Sequence, residues 1–291
     1  MSSISLPPTM KALILPEAGK ALELQTVPTP VPVHGSVVIK VIASGLNSSM
    51  AFQYSRNGTF SFPKDTVPGG RAIGRVASLG PDTTSLEVGQ LVLVEPFIRA
   101  RDNPDDLQIL FGLYDGGSPT GRKFTTDNWS KASSAEYCMS PLENTYSLDE
   151  KRLCGSPTTG GLGYDPCDLL QLTWQLVAYG GFREIGLQVG ETMVVAPATG
   201  SYTGAAVQVA VSMGANVIAM SRNMTELNRL LATQPAGRVK IVQNTGNVDA
   251  DTQALQKHGP IDAFTDITPW NAGDSTHIRS CFMAVKPYGI F

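Results

Sequence analysis

"ETMVVAPATGSYTGAAVQVAVSMGANVIAMSRN", residues 191–223, holds the pattern that decides the fold of this chain. The run TMVVAPA (192–198) is rich in residues that favour a pleated strand, and a turn of small residues follows it. GAAVQVAVSMG (204–214) then carries apolar residues at helical spacing, and NVIAM (216–220) is a second apolar run. Gly214 stands where the helix between them must stop, because glycine takes the left-handed conformation of a helix C-cap without steric cost.

Outward from this unit the alternation continues. NMTELNRLLATQ (223–234), DTQALQKHG (251–259) and STHIRSCFMAV (275–285) read as helices, with VKIVQ (239–243) and IDAFTDI (261–267) as the strands between them. Upstream, DLLQLTWQLVAYGGFRE (168–184) sets Leu169, Leu172, Leu176 and Tyr179 on one helical face. Four strands separated by helices predict βαβ units, a parallel sheet and right-handed crossovers. The chain reaches KPYGIF (286–291) where a fifth strand is expected to begin, so the doubly wound sheet is expected to be incomplete and the chain truncated at its C-terminal end.

The first part has another texture. KALILP (11–16), SVVIKVIASG (36–45), AIGRVASLG (72–80) and GQLVLVEPF (89–97) are short alternating or β-branched runs bounded by Gly, Pro and Asp. They predict a small irregular barrel or sandwich rather than a parallel sheet. Residues 100–130 are polar and turn-rich with little periodicity, and read as a lobe or long loop near a site.

Composition narrows the functional classes. Of 291 residues, 42% are hydrophobic and 16% charged, which describes a folded, soluble protein with length enough for one large domain or two ordinary ones. A formal net charge of −3 gives nucleic acid or an anionic membrane no electrostatic attraction, so neither is expected as partner. Met1 to Pro8 shows no leader pattern, and no apolar run is long enough for a membrane span. Cys138, Cys154, Cys167 and Cys281 are scattered, which suits a reducing, cytoplasmic setting.

A strand feeding a helix through small residues lets backbone N–H groups approach a pyrophosphate, with the helix dipole adding attraction. Ala198 and Gly200 fill the first two small positions, with Thr199, Ser201 and Tyr202 in the same turn. The third position, usually a glycine that lets helix and strand pack closely, is Thr203, followed by Gly204. A branched residue there is expected to weaken or shift a bound dinucleotide without forbidding it, with relief from Gly204. A ligand-free strand-to-helix turn is the plain alternative. About 20 residues on, where an acid would accept from the ribose hydroxyls of NAD, stand Ser221 and Arg222. A hydroxyl and a fixed cation suit a 2′-phosphate, so NADPH is the expected cofactor.

On these residues the chain resembles the medium-chain dehydrogenase/reductase superfamily, and within it the zinc-free, quinone-oxidoreductase-like branch. The segment from MKALILPEAG (10–19) to SGLNSSM (44–50), then VPGGRAIGRVASLG (67–80), LEVGQLVLV (86–94), SSAEYCMSPLENTYSLDE (133–150) and the cofactor unit are similar to successive parts of that family. FIRARDNPDDLQILFGLYDG (97–116) with VAYGGFREIGL (177–187) resembles a subgroup common in filamentous-fungal metabolism, and that resemblance suggests secondary metabolism. The resemblance implies a GroES-like domain at 1–165 and a Rossmann domain at 166–291. It sets Asn47, Gly70, Arg71 and the region of Leu169 where zinc-dependent relatives have ligands, so no metal is expected. It also brings the nicotinamide near Asn47, with Tyr54 as the candidate polarising hydroxyl or proton donor. The expected activity is hydride transfer to or from a small carbonyl, enone or quinone-type molecule. A homodimer is an option that the missing C-terminal strands would weaken. A non-catalytic nucleotide-binding remnant stays open as the alternative.

Overall fold

The computed structural model describes residues 6–46, 49–268 and 275–290. The chain divides into two units, Met1–Leu170 and Gln171–Phe291.

In the first unit the β-branched runs become short antiparallel strands. These are β1 (Thr9–Ile14), β2 (Glu23–Pro28), β3 (Ser36–Ser44), β4 (Ala72–Leu79), β5 (Leu91–Val94), β6 (Phe97–Ala100), β7 (Asn103–Leu110), β8 (Tyr137–Pro141) and β9 (Thr145–Ser147). A five-stranded sheet runs β8-β3-β4-β5-β9, while β1 pairs with β2 and β6 with β7. Along β3 the register against β4 shifts between Val38 and Ile39 and again between Val41 and Ala43. Gly74 allows the close crossing there, because a Cβ would lie 2.4 Å from the Ile39 side chain and 2.6 Å from the Lys40 carbonyl. Val37, Ile39, Val76, Val92, Val94, Ile98 and Phe111 form the centre of the core. Each such side chain contributes about 1.5–3 kcal/mol on leaving water.

Residues 100–130 are more regular than their composition implies. Strand β7 carries the hairpin back over β6, and α-helix Pro119–Phe124 runs directly into a π-helical turn, Thr125–Trp129. The polar half of β7 is exposed, so only Leu107 and Ile109 alternate inward, too short a signal to read as a strand.

The second unit confirms the α/β reading. Strands β10 (Thr192–Ala196), β11 (Asn216–Ser221), β12 (Val239–Gln243) and β13 (Ala263–Asp266) are parallel, in the order β12-β11-β10-β13. This is the order of the first four strands of a doubly wound dinucleotide fold. Alternate residues of a strand face opposite sides. Met193, Val195, Val217 and Ala219 pack on one core, while Val194, Ala196, Ile218 and Met220 pack on the other. Helices cover both. We number them α1 (Leu172–Glu184), α2 (Ser201–Ser212) and α3 (Met224–Ala232) on the first side, and α4 (Val248–Gln256) and α5 (His277–Ala284) on the second. Gly214, at φ +91°, ends α2 as expected. Ile290 forms a parallel bridge to Ala263 on the outer edge of β13.

Helix α1 departs from the expected face. Leu176 and Tyr179 are 44% and 42% exposed, and the buried positions are Thr173, Ala178 and Phe182. Its neighbour decides this. On α2 the Gln208 side chain accepts the Gln175 amide at 3.0 Å, so a polar pair lies between the two helices, while Ala178 and Phe182 join Ala206 and Ala210 in the core. Among the described residues no helix is long and apolar enough to cross a membrane.

Candidate functional site

In a doubly wound sheet a ligand binds outside the carboxyl ends of the strands, where the strand order reverses. Here the reversal lies at β10, which has β11 on one side and β13 on the other. The turn leaving β10 is Pro197-Ala198-Thr199-Gly200, and α2 starts at Ser201. Ala198 is fully buried, and its N–H donates to the Met220 carbonyl at 2.8 Å, which ties the turn to β11. Thr199, Gly200 and Ser201 face solvent.

Thr203 answers the question its position raises. It is 2% exposed and turned inward, and its Oγ1 accepts the Gly200 N–H at 2.9 Å. The Gly204 N–H donates to the Gly200 carbonyl at 2.7 Å, beginning the helix. The threonine therefore fills the third position as a cap, without projecting into the open face of the turn. Its cost is that the Gly200 N–H is already engaged. Gly204 has room, since a Cβ would approach only the Ala198 carbonyl, at 3.8 Å. Tyr202 is half-buried in the first turn of α2.

The end of β11 adds a polar patch. Ser221 is 6% exposed, and its hydroxyl lies 2.8 Å from that of Thr199. Arg222 is exposed and has no ion-pair partner among the described residues. Asn223 caps α3 by accepting from the Thr225 and Glu226 N–H groups at 3.0 and 3.2 Å. The arginine is thereby held on a fixed turn.

Sequence reasoning missed a second cluster at this sheet edge. His277, 2% exposed at the start of α5, has its Nε2 2.9 Å from Asp266 Oδ1 and 2.9 Å from Thr268 Oγ1. Its Nδ1 is bonded to Ser275 Oγ. One neutral tautomer satisfies the set, with Nε2–H donating to Asp266 and Nδ1 accepting from Ser275. Asp266 pairs in register with Ala196, the last residue of β10, so the cluster stands at the reversal point. The only sequence signal was polar residues flanking an apolar strand and helix, which is too common to single out.

In the first unit, Asn47 lies outside the described residues. Tyr54 follows a short helix, Met50–Gln53, and its hydroxyl donates to the Gly112 carbonyl at 2.8 Å. Its ring meets Phe62 edge-on with centroids 5.6 Å apart. Burial pushes its pKa up to about 12, with the Gly69 backbone N–H pulling weakly the other way. Gly70 adopts φ +108°, and a Cβ there would lie 2.2 Å from the Phe111 carbonyl. A histidine therefore cannot occupy this position on this backbone. Beside it, Arg71 lends positive charge to Glu95, whose carboxyl burial pushes above the ordinary range. Leu169 is buried. Among the described residues no three His, Cys, Asp or Glu side chains gather to hold a metal ion.

Residues 33–150 match the family model of the alcohol dehydrogenase GroES-like domain. An Aspergillus sp. (strain MF297-2) protein named alcohol dehydrogenase notN is 28% identical over 222 residues, 75% of this chain and 59% of the relative. The chain thus spans about three fifths of that relative's length. Among solved structures, a short chain alcohol dehydrogenase from E. coli CFT073, complexed with NADH, matches with a TM-score of 0.73 at 16% identity, covering 98% of this chain and 76% of that one. Acetophenone reductase from Geotrichum candidum NBRC 4597, in complex with NAD, gives 0.69 at 18% identity, covering 98% and 75%. At such identities the two structures speak for the fold alone. Residues 33–150 therefore carry an alcohol dehydrogenase GroES-like domain, and the chain as a whole is similar to alcohol dehydrogenases in sequence and has their fold.

Proposed function

We propose that this chain is a zinc-independent, NADPH-dependent oxidoreductase that transfers a hydride to or from a small carbonyl, enone or quinone-type substrate. The observation that carries the reading is the end of β11, where Ser221 and the unpaired Arg222 stand in place of an acid. An acid would favour a free ribose hydroxyl, whereas a hydroxyl and a fixed cation favour a 2′-phosphate. The fungal relative's name and the neighbours solved with NADH and NAD support a nicotinamide cofactor. A place in specialised metabolism is part of the same reading, and the free thiols support a cytoplasmic setting.

The residues at the turn fit such a group. A Cβ on Gly200 would meet only Thr203 Oγ1, at 3.1 Å, so the outer side of the turn is open to a phosphate. Ser201 and the first turn of α2 would hold the pyrophosphate, and Ser221 with Arg222 the 2′-phosphate. When bound, the nicotinamide supplies the hydride. The chain's own task is to orient the substrate and polarise its oxygen with a hydrogen-bond donor, since the zinc positions carry Asn47, Gly70, Arg71 and Leu169. Asn47 is a neutral donor. Tyr54 keeps its proton at neutral pH, so it would act as a donor and never as a base, and it must leave the Gly112 carbonyl to do so. The substrate is a small molecule, and a homodimer is one option for the assembly.

Calorimetric titration with NADPH and NADH tests the reading. NADPH should bind in the micromolar range and NADH at least tenfold more weakly, a difference of about 1.4 kcal/mol. Arg222→Ala should erase that difference, and treatment with a chelator should leave turnover unchanged. Equal binding of both cofactors sinks the NADPH assignment. Binding without turnover of any aldehyde, enone or quinone would leave a non-catalytic nucleotide-binding protein.

A further inference from the structure

The crevice at the strand reversal has two walls. Strand β10 leads through residues 197–200 into α2, which covers the first side of the sheet, and β13 leads to α5, which covers the second. Ala196 and Asp266, the last residues of the two strands, pair in register, so the two connections part from neighbouring points. One wall is the turn that would receive a pyrophosphate, and the other carries Asp266 and His277.

A carboxylate is a poor neighbour for a pyrophosphate, because like charges at close range repel. The Asp266 side chain keeps 30% exposure, and its Oδ1 bonds His277 Nε2 and the Thr268 hydroxyl. His277 is its one cationic partner among the described residues. A neutral imidazole leaves the carboxylate charge standing, and a protonated one cancels it. Histidine is the side chain suited to such a change at physiological pH.

The cluster accommodates both forms of the ring without moving. In the neutral ring Nδ1 accepts from the Ser275 hydroxyl, and in the protonated ring the N–H donates to the same oxygen, since a hydroxyl serves either role by rotating. Nε2–H faces Asp266 Oδ1 and Thr268 Oγ1 in both. The other charged and titratable groups near the ring are few. From α4 comes Asp251, whose carboxylate is taken up by the Thr245 and Gly246 N–H groups and the Thr245 hydroxyl. On α5 itself, Cys281 lies one turn on, and burial together with Asp266 and Asp251 pushes its thiol up to about 12, so it stays protonated. Arg279 is exposed and two residues along, a spacing that does not share a helix face. From β10 the facing residues are Val194 and Ala196, which are apolar.

We propose that dinucleotide binding at this crevice takes up a proton from solvent onto His277, which cancels the charge of Asp266 beside the pyrophosphate. The proposal rests on the dinucleotide reading given above and adds its regulation by pH. Affinity is highest with the ring protonated and falls as pH rises through the histidine range.

Calorimetric titration of NADPH into the full chain, in two buffers of different ionisation enthalpy, counts the protons taken up. The 2′-phosphate of NADPH itself titrates near about pH 6, a contribution common to the parent and its variants. Between about pH 6 and about pH 8 the parent should lose about tenfold in affinity. His277→Gln keeps an N–H for Asp266 but takes up no proton, so its proton count should drop below that of the parent and the loss with pH should vanish. Asp266→Asn keeps the Oδ1 acceptor and removes the charge, so at about pH 8 it should bind about tenfold more tightly than the parent. Weaker binding by Asp266→Asn at every pH, or a parent whose proton count and pH dependence match those of His277→Gln, would overturn the proposal and leave the NADPH reading standing. A folded parent that binds no NADPH at any pH would end both.

Discussion

Thr203 shows how one side chain can keep a turn while changing what the turn offers. Its hydroxyl caps α2 from inside, so the Gly200 N–H is satisfied by the protein itself. Thr203→Val keeps the volume and removes the acceptor. The ligand-free protein should then lose about 1 kcal/mol in urea unfolding, the usual worth of a cap. NADPH affinity should hold or tighten, because the N–H becomes available to phosphate. A fall in affinity would mean that the hydroxyl itself holds the cofactor. Tyr54 makes a second case. Its pKa rises from the ordinary 10.0 to about 12, so between these values the folded state keeps a proton that the unfolded state releases. The stabilisation from Tyr54 is therefore intact below pH 10 and lost as pH climbs towards 12, a decline that Tyr54→Phe should abolish. The same variant leaves the Gly112 carbonyl without its donor, at a cost of about 1–3 kcal/mol at neutral pH.

At the scale of elements, the strands and helices of the second unit were legible because each is long and strongly patterned. Strand β10 is buried on both faces and reads as an unbroken apolar run, and the helices after it carry clear stops and caps such as Gly214 and Asn223. Helix α1 was legible as a helix, but its buried side was not. Its larger apolar residues point outward while Gln175 pairs with Gln208 of α2, a partner held in another segment of the chain. Strand β7 was missed because half of it is polar and exposed. Helix α5 is joined to β13 through His277, which bonds Asp266, Thr268 and Ser275. His277→Ala should cost about 1–3 kcal/mol, since the buried partners lose their bonds. It should also speed amide exchange in α5 before that in β11. Equal protection in the variant and the parent would deny the histidine this joining role.

For the molecule as a whole, two units with separate cores should respond separately to the cofactor. A ligand that binds only the folded state adds about 2.7 kcal/mol at a hundredfold excess over Kd. NADPH should therefore slow hydrogen exchange mainly in strands β10–β13. Equal slowing in β3, β4 and β5 would deny that the cofactor acts through the second unit.

The sequence by itself determined the alternation of strand and helix, the short-stranded character of the first unit without a parallel sheet, and the spacing that sets Ser221 and Arg222 after the turn. These are local properties: backbone propensity and the periodicity of apolar residues act over a few neighbouring positions. Only the tertiary structure decided that Thr203 turns inward, that Tyr54 spends its hydroxyl on Gly112, and that His277 meets Asp266. Each depends on which distant segments pack together. A side chain's partner is chosen by where the rest of the chain brings its donors, acceptors and apolar surfaces, and no local period encodes that choice.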